Sequence, residues 1–495
     1  MPSMDKLVLT SPLALMLGLV LSGCAVGPSY RQPTPASPAD WYAPLPHGGT
    51  VEAMAQWWQQ FDDPVLSRLV KEAESSSPSL TVAWANIQKA RATLTTARAS
   101  GLPSLDASSS ISRGKQAQGT FGQGTFGADA STESEVMTTR SSGMDASWEL
   151  DLFGKVRRNT EAARARIDAR VDDWHDARVS LAAEVANTYT QYRACGLLAD
   201  AYERELTSIT DTENATAVSV RAGFSSPADG SLARASMAST KSTLVSQRAQ
   251  CELLVKSLVN LTGTNEPALR TMLAEGKTSV PQPSALEVRS VPAEVLHQRP
   301  DLASLERELA AASAEIGVAQ ADLYPSLSLS GSISVSSNSL VSSQQTWSFG
   351  PSLSIPFFDS GRRRAAVDSA RATYAAALAN YHQGVRDVVT EVEQALINLD
   401  ATARRTEEAE RAAQEYRRYF NAAETHWRAG GVSLLTLEEA RRSALSAEVQ
   451  LTTLQRERVE YWIALYKALG GGWQAGTPAS SPEALAAQST QEGLP

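Results

Sequence analysis

The chain has 495 residues, 42% of them hydrophobic and 20% charged, with a formal net charge of −9. Such an acidic balance gives no general attraction to nucleic acid, and the basic run Arg362-Arg363-Arg364 is local. No Walker loop, Rossmann fingerprint or HExxH pair is present, so no reaction centre, cofactor or metal site emerges and the chain does not read as an enzyme.

Met1 to Lys6 precede an apolar run, Leu7 to Leu21, that ends in Leu21-Ser22-Gly23-Cys24. The run is shorter than the roughly 20 residues of a spanning helix and has the layout of a signal peptide, residues 1–23. The small residues before Cys24 resemble a lipoprotein signal. That resemblance implies cleavage before Cys24 and a covalent lipid on it, diacylglycerol plus a fatty acyl chain. Ala25, not aspartate, follows Cys24, which by resemblance to bacterial sorting rules favours the outer membrane over retention at the inner one. Residues 24–63 then read as a lipidated, extended segment, Pro-rich from Gly27 to Gly49.

Residues 64–100 are predicted helical, and Leu102-Pro103-Ser104-Leu105 ends that stretch and starts extended chain. Leu105 to Ser112 and Met144 to Leu152 form the first strand pair, within 103–152. In the second member Met144, Ala146, Trp148, Leu150 and Leu152 alternate with Asp145, Ser147, Glu149 and Asp151. The Gly/Ser/Thr-rich residues 113–142 read as an exposed loop. From Lys155 a helix runs without proline to Ser226, with Ile167, Val171, Trp174, Leu181, Val185 and Tyr192 as its stripe. It stops near Gly223, and a shorter helix returns from about Gly230 to Leu261. His175, near Asp172, Asp173 and Asp176, reads as part of a solvated helix face. Cys195 and Cys251 lie in these helices as buried small side chains or as a disulfide.

After a linker, residues 264–299, the pattern recurs. A helix at 300–323 leads to Tyr324-Pro325-Ser326-Leu327, a strand pair within 325–357 and a second long helix from Gly361. Residues 336–345 read as the loop between these strands. In the helix, Leu378, Tyr381, Val385, Val388, Val392, Ala395 and Leu399 repeat at coiled-coil spacing. It stops at Gly430-Gly431, and Ser433 to Leu469 returns. Gly154, Glu184-Val185, Arg221-Ala-Gly223 and Gly263 recur 207 residues on as Gly361, Glu391-Val392, Arg428-Ala-Gly430 and Gly470. The chain is thus an internal duplication, 64–263 and 300–470, followed by residues 471–495 as a flexible tail. Each long helix, at about 65 residues and 1.5 Å per residue, is about 100 Å long.

About ten alternating residues per strand suit a tilted strand crossing a bilayer, with Trp148 and Trp347 at its rim. Four strands cannot close a barrel around a lumen, and open edges are not tolerated in lipid, so membrane-crossing strands must be pooled among several chains. A soluble pair of hairpins shows the same alternation.

Five phrases resemble the bacterial outer-membrane efflux family, the lipoprotein outer-membrane factors of tripartite (RND-type) exporters. They are Cys24-Ala-Val-Gly-Pro-Ser-Tyr30, Trp57-Trp58 followed by Phe61-Asp-Asp-Pro-Val-Leu66, Trp148-Glu-Leu-Asp-Leu-Phe-Gly154, His297-Gln-Arg-Pro-Asp301, and Arg428-Ala-Gly430 followed by Leu434 to Arg441. The resemblance implies a mixed α/β membrane protein: a homotrimer whose 12-stranded outer-membrane β-barrel, four strands per chain, continues as a long periplasmic α-helical barrel. It also implies a mixed α/β region near 57–69 and 265–299. Its partners would be outer-membrane lipid, a periplasmic adaptor and an inner-membrane transporter. The expected activity is passive conduction of small molecules through a gated periplasmic entrance. The alternative is a non-conducting, lipid-anchored coiled-coil scaffold.

In the family an aspartate after the second tip glycine narrows the closed entrance, and Glu439 aligns with it, with Glu438 beside it. Three such carboxylates around an axis would attract cations and raise one another's pKa values. Locally, Thr436 to Glu439 also has capping-box spacing. Asp229 resembles the acid of the first tip, or caps a helix starting near Gly230. Arg428 and Arg221 are candidates for ionic links at the closed tip, or complement the helix dipole. Gly223, Gly430 and Gly431, with Arg221, are the candidate adaptor-contact turns.

Overall fold

In the computed structural model the described residues are 25–34, 43, 54–117, 134–276, 278–283, 298–339 and 342–491. The leader, Cys24 and His297 lie outside them. The elements are a 3-10 helix, Met54–Phe61, then α1 (Pro64–Ser76), α2 (Pro78–Ala99), β1 (Ser104–Ala117), β2 (Ser134–Leu150), α3 (Lys155–Arg221), α4 (Pro227–Thr262) and α5 (Glu266–Glu275). The second half holds α6 (Pro300–Ala321), β3 (Ser326–Asn338), β4 (Gln344–Ser354), α7 (Arg362–Arg428), α8 (Leu434–Ala468) and α9 (Pro482–Gln491).

The duplication is visible in the backbone. Helices α3 and α7 each contain 67 residues and start and stop 207 positions apart. The matched glycines Gly154 and Gly361, Gly223 and Gly430, and Gly263 and Gly470 all have positive φ. Yet the two copies are not the two compact units. One unit takes residues 1–32, 88–167 and 307–378, the other 33–87, 168–306 and 379–495. Each unit therefore draws on both copies.

The first unit holds one antiparallel sheet in the order β1-β2-β3-β4. Hairpins join β1 to β2 and β3 to β4, and β2 pairs with β3 across the copies, from Leu150 opposite Leu327 to Thr139 opposite Asn338. The strands outrun the alternation. Residues 113–117, 134–142 and 336–338, expected in loops, are strand, because polar residues on both faces erase period two while the backbone ladder continues. At the other end β4 stops at Ser354, before Pro356, so Ile355 and Phe357 lie beyond it. Alanines carry the helix contacts of this unit: Ala162 packs with Ala311 and Ala314, and Ala163 with Leu94 and Ala97.

The second unit contains the main core. Val185 on α3 and Tyr381, Val385, Val388, Val392, Ala395 and Leu399 on α7 are all buried in it, which is the seam expected from their spacing. The phrase around Trp57 is structural: Trp57 is 1% exposed, 4.6 Å from the Tyr466 ring, and Phe61 meets Trp462 edge-on at 5.2 Å. Asp63 caps α1 through the amides of Val65 and Leu66 and accepts from the Tyr189 hydroxyl at 2.8 Å. The segment to residue 63 is thus not wholly extended. Arg299 of the Arg-Pro-Asp phrase donates to Asp301, to Glu391 at 2.8 Å and to the Ala468 carbonyl at 2.9 Å, fastening the start of α6 to the end of α8.

Two further readings are corrected, and the open alternative for the cysteines is resolved. Residues 471–491 are not a flexible tail: Trp473 and Leu485 are buried, and Leu485 joins the main core. His175 is 5% exposed, not solvated, with Nε2 2.9 Å from the Thr477 carbonyl and its ring edge-on to Trp174. Burial lowers its pKa below the ordinary imidazole value. Cys195 and Cys251 form a disulfide that ties α3 to α4.

Candidate functional site: an apolar sheet face and two helical tips

The pleat sends alternate residues to opposite faces, and the register aligns like with like across four strands. Leu105, Ala146, Gly331 and Phe349 make one row; Ala107, Met144, Ile333 and Trp347 make the next. Trp347 and Phe349 are 76% and 71% exposed. The other face carries Asp106, Asp145, Ser332 and Ser348 in one row, with Ser332 and Ser348 hydroxyls 2.9 Å apart. Strands of 11 to 17 residues are long enough to cross a hydrocarbon core. Among the described residues both outer strands, β1 and β4, pair with only one neighbour.

Aromatic and polar contacts close the helix end of the sheet. Trp148 Nε1 donates to the Gly101 carbonyl at 2.9 Å, Phe153 stacks on Tyr324 at 4.7 Å, and Lys155 pairs with Asp322 at 2.8 Å. The residues that follow Cys24 dock here. Val26 N–H donates to the Phe153 carbonyl at 3.1 Å, and the buried Arg158 donates to the carbonyls of Val26 and Gly27.

The tips lie in the second unit and are copies of one turn. Gly223 N–H donates to Val220 and Phe224 N–H to Ser219; 207 residues later Gly430 donates to Trp427 and Gly431 to His426. This pairing is the Schellman motif, which needs a left-handed residue, and Gly223 and Gly430 supply it at φ +79° and +75°. Gly431 does not have positive φ; a Cβ there would come 3.3 Å from the His426 carbonyl. Ser226 and Ser433, again 207 apart, cap the return helices.

These caps settle the local roles of several candidates. Asp229 is the third residue of α4, and its carboxylate accepts from the Ser226 amide and hydroxyl in a capping box, so α4 starts at Pro227 rather than near Gly230. In α8 the Thr436 amide donates to Ser433, so Ser433 is the N-cap and the Thr436–Glu439 spacing does not mark it. Arg428 is exposed and pairs with Glu424 at 2.9 Å; Arg221 is exposed at the end of α3. Glu439 is exposed, whereas Glu438 is 6% exposed and bonded to Arg441. Sequence reasoning missed Arg441, the partner Glu205 on α3, and Phe224, which stands 87% exposed on the first tip. No group of three or more possible metal ligands occurs among the described residues, and no helix among them is long and apolar enough to cross a membrane.

A sheet with one exposed apolar face and serine and acid on the other, joined in one chain to duplicated helical hairpins, defines a class of envelope channel. The chain belongs to the outer membrane efflux protein family: the family model of that description matches residues 69–264 and 291–471. It is 30% identical to the pyoverdine export outer membrane protein OpmQ of Pseudomonas aeruginosa, with 92% of this chain and 96% of that protein covered. It is 29% identical to the solvent efflux pump outer membrane protein SrpC of Pseudomonas putida, over 92% and 97% respectively. Among solved structures, the outer-membrane channel OprN superposes with a TM-score of 0.78 at 31% identity, over 91% of this chain and all of that one. The family is one of efflux proteins and not of enzymes.

Proposed function

We propose that this protein is the outer-membrane channel component of a tripartite, RND-type efflux pump and conducts small molecules passively. The carrying observation is the single sheet with one apolar, exposed face and two open edges. Three copies pool four strands each into a closed 12-stranded barrel, because lipid tolerates neither an open edge nor an unpaired backbone group. The helices continue the duct into the periplasm, where the Gly223 and Gly430 turns meet an adaptor attached to an inner-membrane transporter. Full-length similarity to proteins named for pyoverdine export and solvent efflux supports this reading. In this reading Cys24 carries the lipid anchor, and the docking of Val26 and Gly27 against Phe153 and Arg158 at the helix end of the sheet is consistent with it. Purified protein in a planar bilayer is expected to give discrete conductance steps. Silence, with the protein folded and inserted, would favour a lipid-anchored scaffold and overturn the duct.

A further inference from the structure

Behind the first turns of α8 lies a buried polar knot. Arg441 is 1% exposed. Its Nη1 donates to Glu438, its Nη2 to Thr212 Oγ1 at 2.7 Å with Ser208 Oγ at 3.4 Å, and its guanidinium lies 5.5 Å from the Phe420 ring centre. Three helices, α3, α7 and α8, meet on this one cation. Its remaining donor, Nε, has no hydrogen-bond acceptor among the described residues. The carboxylate nearest that nitrogen is Glu205 of α3, at 3.8 Å, an ion-pair distance too long for a hydrogen bond.

Two carboxylates therefore share one guanidinium, Glu438 tightly and Glu205 loosely. Their side chains are 6% and 12% exposed. With both ionised, the knot holds one negative charge more than Arg441 cancels, in a seam where desolvation is costly. Arg417 of α7 and Arg204 of α3 share Glu448 of α8 and so carry one positive charge that offsets the excess, but their side chains are 47% and 58% exposed and water screens it. Burial pushes the Glu205 carboxyl up to about 7; Arg441 and Arg417 oppose the rise and Glu438 and Glu448 add to it.

We propose that Glu205, Arg441 and Glu438 form a proton-operated latch that holds the first turns of α8, and with them the entrance carboxylate Glu439, against α3. The latch deepens the duct reading and rests on it. With Glu205 protonated, Arg441 and Glu438 neutralise each other and the tip stays packed. When Glu205 ionises, the second charge is relieved by admitting water between α3 and α8, and the entrance loosens. The sign follows from the raised value: the stabilisation is complete below the ordinary carboxylate value near 4.5 and is lost as pH rises to about 7. Arg441 and Glu205 are positioning residues; neither is among the entrance candidates.

The test is hydrogen exchange of the Leu434 to Arg441 amides in the detergent-solubilised assembly at pH 5.5 and 7.5, corrected for intrinsic exchange. Protection should fall on the order of tenfold at the higher pH, and Glu205→Gln should keep it. Equal protection in the unsubstituted protein at the two pH values overturns the latch, as does a Glu205→Gln variant that responds to pH as the parent does. Because the unsubstituted protein is decisive alone, failure of the variant to assemble does not shield the proposal. Bilayer recording separates the two readings: channels whose open probability ignores Glu205 at both pH values sink the latch and leave the duct, whereas absent channels sink the duct.

Discussion

Glu438 and Glu439 are neighbours in sequence and differ in environment. Successive residues on a helix stand about 100° apart, so when Leu434, Leu437 and Arg441 turn inward Glu438 goes with them and Glu439 faces out. The family resemblance favours Glu439, but the burial of Glu438 was not legible, because nothing local announces that Glu205, over 230 residues upstream, approaches the same arginine. Of the two, Glu439 is therefore the acid available to a pore. Glu439→Ala is expected to leave conduction intact and to lower cation over anion preference several-fold, read as the reversal potential in a salt gradient. An unchanged reversal potential would remove Glu439 from the entrance. Asp229, by contrast, already spends its carboxylate on the Ser226 cap, and Asp229→Ala should cost about 1 kcal/mol of local helix stability, read as faster amide exchange in the first turn of α4.

Among the elements, the long helices were the most legible part of the chain. Proline-free runs, a three-and-four spacing and matched glycines specify α3 and α7 closely, because each signal reports a local physical requirement. The strand limits were less legible: the polar loop-side ends of β1 and β2 pair through backbone groups that leave no mark on side-chain pattern. The 3-10 helix at Met54–Phe61 and α9 were hidden for a different reason, since short segments held by distant aromatic and core contacts have weak periodicity of their own. Cysteine spacing left a disulfide and two buried thiols equally open; only the α3–α4 hairpin brings Cys195 and Cys251 to a Cα separation of 5.6 Å. That bridge closes 56 residues of chain, for which loop entropy gives about 4 kcal/mol of stabilisation. Cys251→Ser, or reduction, is expected to lower the thermal unfolding midpoint measurably; an unmoved midpoint would show that helix packing alone holds the hairpin.

At the scale of the whole molecule, duplication in sequence is not division in space. Strands from both copies pair through β2 and β3, and helices from both copies share the main core, so neither half contains a complete unit. The sheet is incomplete in another sense: among the described residues β1 and β4 each have an unpaired edge. Native mass measurement of the detergent-solubilised protein should therefore find three copies. A folded monomer would contradict the pooled barrel.

The bridge between α3 and α4 also carries information about itinerary. Thiols stay reduced in the cytosol and oxidise in the periplasm, so a copy with Cys195 joined to Cys251 has crossed the inner membrane and one with free thiols has not. Thiol alkylation would thus sort a cell's copies into exported and stranded populations, a built-in marker of secretion that is independent of whether any channel has yet assembled.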